Sequence, residues 1–145
     1  MGACYSSRMK TDRIIPCTLP DDAQRSNCPI ACALDLLGDK WTLVVIRDLF
    51  LGCETYGDFQ KSSEQIPTNI LADRLKRLEA SGVLFREQYQ QRPARFRYHL
   101  TDSGKRLGPV LFELAKWSLL HLRFDGKPAV DSEKVQWVKQ RLLHP

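Results

Sequence analysis

The stretch from Ile66 to Gly82 permits few folds, because its apolar residues recur only at helical spacing and it carries both a start and a stop signal. At about 100° per residue, Ile70, Leu71, Leu75 and Leu78 share one stripe, while Asn69, Asp73, Lys76 and Ala80 lie opposite with Ala72 beside them. One face must be buried and the other left to solvent. Pro67 suits the first turn, where a missing N–H costs nothing, and Gly82 suits a left-handed stop. The spacing therefore predicts a helix over about residues 67–81.

Its neighbours narrow the fold. Upstream, Thr55-Tyr56-Gly57-Asp58 reads as a capping box with Asp in place of Glu, opening a short helix anchored by Tyr56 and Phe59. A polar turn from Ser62 to Gln65 then leads into the longer helix, which is helix-turn-helix order. Downstream, Leu84 to Tyr89 and Arg95 to Leu100 alternate in the manner of strands around Gln91-Arg92-Pro93-Ala94. Between Arg86 and Arg97, four arginines face one glutamate, a local charge of +3 in a chain of formal charge +5. The expected fold class is mainly α with a small β-hairpin wing (α+β), a winged helix-turn-helix.

The open face of the long helix bears side chains that can enter a major groove. Asn69 suits adenine, Lys76 suits guanine or phosphate, and Thr68 and Ala72 are small enough to allow close approach. Asp73 either meets a cytosine amino group or repels phosphate, and both readings stand. Arg92, Arg95 and Arg97 of the hairpin are placed to meet backbone phosphate or the minor groove. The bland counterparts are an ordinary solvated helix face and a basic edge that deters strand pairing. Arg74 lies at the margin of the apolar stripe, so its stem is expected to pack while its guanidinium pairs with an acid or touches phosphate, a structural ion pair being favoured over base readout.

With 145 residues and 43% hydrophobic content, one domain with a proper core is expected. Residues 1–27 read as a flexible arm, 28–122 as a DNA-binding head with a dimerisation helix, and 123–145 as a helical support for the dimer. Within the head, Pro29 to Leu37 forms a first helix with Ile30, Ala33, Leu34 and Leu37 on one face, stopped by Gly38. Trp41 to Leu51 is apolar nearly all round and should be the buried central helix. Thr101 is expected to cap one long helix reaching about Leu122, with apolar residues on more faces than a monomer can cover. Asp125-Gly126-Lys127-Pro128 breaks the chain before an amphipathic helix from Ser132 to Leu143. A pI near 9.1 favours an acidic partner, here duplex DNA rather than a membrane.

The apolar run of the central helix, Leu43 to Ile46, is far short of the roughly 20 residues a membrane span needs, and no signal-peptide pattern opens the chain. A cytoplasmic location is expected. Met1 to Ser6 matches a myristoylation pattern with Cys4 as a second acylation position, a match short enough to arise by chance. His99, His121 and His144 are scattered, and neither a phosphate loop nor a nucleophile elbow is present. No enzyme activity, cofactor or metal site is expected: Cys28 and Cys32 lie four apart without a Cys-x-x-Cys or a nearby histidine. Cys28 precedes Pro29 and so takes the N-cap position, where helix N–H groups favour an anion, with Arg25 close in sequence. It is either a thiol that senses oxidants or electrophiles or simply a small cap residue.

These residues together carry a resemblance. Cys28-Pro29, Gly38-Asp39-Lys40-Trp41-Thr42, Arg47-Asp48-Leu49, Tyr56-Gly57-Asp58-Phe59, Leu71 with Arg74-Leu75, Leu78-Glu79, Pro93 through Tyr98, Leu100-Thr101 and Gly104 resemble the HxlR-type, MarR-like winged-helix regulators of bacteria. Asp39 stands where that family usually has glycine, and Asn69 and Ala72 stand where many members have Lys or Arg and Ser or Thr, so an operator sequence does not carry over. The resemblance implies a homodimeric, cytoplasmic transcriptional repressor or activator, with repression the expected sign. It also implies a palindromic duplex operator and, in some members, thiol switching at the cysteine before the first helix. Other readings are a winged helix that docks an acidic protein partner, a regulator answering a small molecule without redox sensing, or a redox enzyme built on Cys28. Trp41, Trp117 and Trp137 are candidates for an effector pocket or, more simply, for core and interface.

Overall fold

Three leucines on one side of a single helix, Leu71, Leu75 and Leu78, are each at most 2% exposed, and the architecture assembles around them. The structure is a computed structural model that describes residues 27–124, 127, 128, 136 and 140. In chain order these form α1 (Pro29–Leu37), α2 (Thr42–Phe50), α3 (Tyr56–Gln60) and α4 (Thr68–Ala80). The strands β1 (Leu84–Gln90) and β2 (Arg95–Leu100) follow, then α5 (Asp102–Lys105), α6 (Gly108–His121) and a short ribbon of β3 (Arg123–Phe124) and β4 (Lys127–Pro128).

Val45, Ile46 and Phe50 of α2, Phe59 of α3 and Ile66 of the turn close over the leucine stripe of α4. Val83, Leu84 and Leu111 complete the core from the hairpin and α6, with Tyr56, Ile70 and Tyr98 packed at its edge. The predicted α4 begins one residue late, with Pro67 as the cap residue and its carbonyl accepting from Leu71 N–H at 2.9 Å. Gly82 has φ +76°, the left-handed stop that the glycine was read to provide. The hairpin is antiparallel, pairing Leu84 with Leu100 and Gln88 with Phe96, and a bulge falls between Gln88 and Gln90 before the cis Arg92–Pro93 bond.

Two expectations need correction. Thr101 does cap a helix, its hydroxyl accepting from Gly104 N–H at 3.1 Å, but the long helix expected from Thr101 to Leu122 is two helices. Gly108-Pro109 divides them, because a proline inside a helix lacks the N–H and crowds the carbonyl four residues back, whereas it fits the first turn of a new one. The break expected at residues 125–128 itself contains a strand, Lys127 and Pro128 pairing with Phe124 and Arg123. Residues 1–26, with the myristoylation match, Cys4, Cys17 and Arg25, lie outside the described residues. The predicted C-terminal helix also lies outside them, apart from Gln136 and Gln140, which are helical.

Gly104 is needed for a close approach: a Cβ there would sit 2.1 Å from the Val83 carbonyl oxygen. The backbone that must give way also accepts from Thr101, so relief would loosen the junction of β2, α5 and the end of α4. Gly104→Ala should therefore lower stability by about 1–3 kcal/mol. Gly57→Ala serves as its control, since a Cβ there meets nothing nearer than Thr55 Oγ1 at 3.9 Å, and it should be neutral or slightly stabilising. Thermal unfolding followed by circular dichroism measures both; equal melting temperatures for the two variants would contradict the packing argument.

Candidate nucleic-acid interface

The geometry of the helix-turn-helix is set by polar contacts at both ends of its turn. Thr55 Oγ1 accepts from Asp58 N–H at 3.3 Å while the Asp58 carboxylate accepts from Thr55 N–H at 2.8 Å, the reciprocal capping box that the sequence predicted. The Thr55 hydroxyl also donates to Asp58 Oδ2 at 2.7 Å, and this bond, with that from Thr55 N–H, holds the Asp58 carboxyl below the usual carboxylate range. Tyr56 then donates its phenol to the Thr68 carbonyl at 2.6 Å, tying α3 to the first residue of α4. Across the turn, Arg47 of α2 donates to buried Asp48 at 2.7 Å, to Glu64 at 3.0 Å and to Ser62 at 3.4 Å. Gln65, at φ +50°, takes the left-handed turn residue that lets the chain re-enter α4.

Thr68, Asn69, Ala72, Asp73 and Lys76 are all exposed on α4, as the helical spacing required. Arg74 is half-buried and structural: its Nε donates to Asp39 Oδ1 at 2.9 Å and its Nη1 to Asp73 Oδ2 at 2.6 Å. Asp39 caps the start of α2, accepting from the N–H groups of Trp41 and Thr42 and from the Thr42 hydroxyl. Burial pushes the Asp39 carboxyl up, but these bonds and the Arg74 charge outweigh it and hold the group below its ordinary range. Sequence reading gave Asp39, Arg47 and the Tyr56 hydroxyl no such role. For Asp39 a signal was available, an aspartate two and three residues ahead of the helix-opening Trp41 and Thr42.

The four arginines of the hairpin divide into two pairs. Arg86 bonds Glu79 of α4 at 3.1 Å and stacks over Phe96 at 4.6 Å. Arg97 lies 3.8 Å from Glu54 and 4.9 Å from the Tyr89 ring centre, beside a backbone bond from Tyr98 N–H to the Glu54 carbonyl at 2.8 Å. Arg86 thus anchors the hairpin to α4 and Arg97 anchors it to the connection between α2 and α3. Arg92 and Arg95, exposed around the turn, have no ion pair among the described residues, and neither does Lys76. These cations of the reading helix and the hairpin tip are thus left for an anionic partner, and Lys40, Lys61 and Arg77, also exposed, likewise have no ion pair among the described residues.

A second surface is apolar. Ile30 is 71% exposed on α1, together with Leu34, while Val110, Leu114, Trp117 and Leu120 are about half exposed on α6. The face of α1 predicted to pack is therefore split: Leu37 reaches the core and Ile30 does not. Trp41 packs against the core under Lys40, whereas Trp117 stacks on His121 with ring centres 5.4 Å apart; Trp137 lies outside the described residues. Cys28 sits exposed at the N-cap of α1, in extended conformation. Cys53 is half-buried, where desolvation and then the charges of Asp48 and Asp58 push its thiol up.

A family model described as HxlR-like helix-turn-helix matches residues 36–124. The HTH-type transcriptional regulator YvaP of Bacillus subtilis is 33% identical over 96 residues, covering 66% of this chain and 89% of YvaP. Among solved structures, the redox regulator HypR in its reduced form aligns with a TM-score of 0.58 at 30% identity, covering 63% of this chain and 90% of HypR. The reduced transcriptional regulator YodB of Bacillus subtilis aligns with a TM-score of 0.56 at 29% identity, over 66% of this chain and 95% of YodB. The matched span runs from the end of α1 through the capped α3, the outward face of α4, the basic hairpin and α6, and the chain belongs to the HxlR-like helix-turn-helix family of transcriptional regulators.

Proposed function

We propose that this regulator binds duplex DNA as a homodimer, with Thr68, Asn69, Ala72, Asp73 and Lys76 of α4 in the major groove and Arg92 and Arg95 on adjacent phosphate or minor groove. The observation that carries this reading is the division of cations. Arg47, Arg74, Arg86 and Arg97 are each ion-paired within the fold, whereas Lys76, Arg92 and Arg95 have no ion pair among the described residues and are exposed. Charge left unpaired on a reading helix and a hairpin tip is what a polyanion neutralises. In this reading residues 28–122 are the DNA-binding head, Arg97 acts chiefly by holding the hairpin in place, and the operator is palindromic with half-sites about 34–36 Å apart. A docking site for an acidic protein would use the same cations, but it would bind without sequence preference among duplexes.

Asn69→Ala and Lys76→Ala should each reduce operator discrimination by about 1–3 kcal/mol, Asn69→Ala with an altered base preference. Arg92→Ala and Arg95→Ala should instead weaken all duplexes alike and flatten the dependence of affinity on salt. Fluorescence anisotropy over a salt series distinguishes the two classes, and unchanged binding in all four variants would remove the assignment.

The dimer is supported by the large apolar side chains that α1 and α6 leave in water, Ile30 and Leu34 on one and Val110, Leu114, Trp117 and Leu120 on the other. Leu114 is 48% exposed, so Leu114→Glu can be made without opening the core. Sedimentation should show a micromolar dimer for the wild type and a folded monomer for Leu114→Glu; a wild-type monomer with and without DNA would contradict the proposal.

Thiol control at Cys28 is the second part of the reading, supported by its exposure at the α1 N-cap and by the likeness to HypR, described as a redox regulator. With α1 at the dimer contact, an adduct or an intersubunit disulfide there changes the spacing of the two reading helices. Cys28 should alkylate faster than Cys53, and oxidant should change DNA affinity in the wild type and in a Cys4→Ser/Cys17→Ser double variant but not in Cys28→Ser. Equal oxidant responses in the wild type and Cys28→Ser would reduce Cys28 to a cap residue.

A further inference from the structure

Asp73 is the one exposed acid on α4, in the middle of a face otherwise suited to phosphate and base edges. A mobile carboxylate there would repel the backbone of any duplex. Its surroundings remove that mobility: Arg74 Nη1 takes Oδ2 at 2.6 Å, and the same guanidinium is held on its other side by Asp39 Oδ1 at 2.9 Å. Arg74 is only 16% exposed on its side chain, against 56% for Asp73, so the clamp is packed while the carboxylate still faces solvent. One oxygen is engaged by a cation that Asp39 also holds, and the other oxygen remains an acceptor.

Residues three apart on a helix are natural ion-pair partners, yet Asp73 is paired with Arg74 and Lys76 has no ion pair among the described residues. Asn69, Asp73 and Lys76 then form a line along α4 of about 10 Å, the length of roughly three base pairs. They present an amide, an acceptor and a cation in that order.

We infer that Asp73 is a specificity-determining residue that selects a C·G pair, its unclamped oxygen accepting from the cytosine N4 amino group, with Arg74 as the positioning residue. This rests on the reading of α4 as the major-groove element. In that groove guanine and thymine offer the carboxylate only acceptors, and the adenine amino group lies between two acceptors, its own N7 and thymine O4, whereas the cytosine amino group has guanine O6 on one side and C5–H on the other, so cytosine is the donor with the least neighbouring repulsion. Asp73 works as much by exclusion as by attraction.

The test is selection of bound duplexes from a random pool by the wild-type chain, Asp73→Ala, Asp73→Asn and Arg74→Lys. Affinities are then measured for duplexes that differ at the one selected position. The wild type should prefer cytosine there by about tenfold or more, and Asp73→Ala should lose the preference while binding the other three duplexes more tightly. Asp73→Asn should turn the preference toward adenine, which an amide meets with both donor and acceptor. Arg74→Lys keeps the charge but cannot fork between Asp39 and Asp73, so it should weaken the cytosine preference several-fold relative to an unrelated duplex. If Asp73→Ala selects the wild-type sequence with unchanged preference at every position, the inference fails and Asp73 is only part of an ion pair. A wild type that selects no sequence at all overturns the reading of α4, and the inference with it.

Discussion

The rotation of α4 about its own axis is the constraint on which the rest of this structure depends. Leu71, Leu75 and Leu78 are buried by α2, α3 and the first residues of the hairpin, which leaves Asn69, Asp73 and Lys76 facing out. A shift of one residue is a turn of about 100°, enough to bring polar side chains into the core and move leucines into water, at about 2–3 kcal/mol for each leucine displaced. No other rotation competes. The apolar stripe thus determines which chemistry is offered to a partner, although none of its residues takes part in that chemistry.

Burial alone leaves a helix able to slide and tilt, and the polar contacts around α4 remove that freedom. Tyr56 holds its first carbonyl, Arg74 its middle and Arg86 its last turn through Glu79. Each contact joins α4 to a different element: α3, the α1–α2 junction and β1. The partly buried pair Arg74–Asp39 adds little to net stability once desolvation is counted, but removing either partner leaves an unmatched charge in a packed site. Its value is therefore in register and orientation, which a reading helix needs more than added stability.

What was legible in the sequence follows the range of the interactions. The span of α4, the capping box of α3, the strands of the hairpin and the cap at Thr101 all rest on residues within a few positions of one another, and the structure has them. Arg74 as an ion-pairing residue was also legible, because its position at the edge of the stripe follows from periodicity. The division of the hairpin arginines was not. Which of Arg86, Arg92, Arg95 and Arg97 meets an acid depends on Glu79 and Glu54 reaching the hairpin through the tertiary fold, and alternation along a strand carries no trace of that. The split between α5 and α6 is different in kind: Gly108-Pro109 was visible, and the continuous apolar pattern across it masked a local rule that should have prevailed.

The α1–α2 junction is where the two proposed activities of this chain meet physically. Gly38 follows α1 directly, and the next residue, Asp39, both caps α2 and holds Arg74 of the reading helix. Arg77, one turn further along α4, reaches back to the Asp35 carbonyl of α1 at 3.4 Å. A displacement of α1 relative to α2 must therefore strain the cap of α2 or carry Asp39 and Arg74 with it, and through Arg74 the carboxylate of Asp73. In the proposed thiol switch, a change at Cys28 has two routes to DNA: the spacing of two heads across the dimer, and the orientation of one acceptor within each reading helix. The first alters affinity for every operator at once. The second alters which base is accepted at one position, so the two routes differ in whether an oxidised protein binds the same sequence more weakly or chooses a different one.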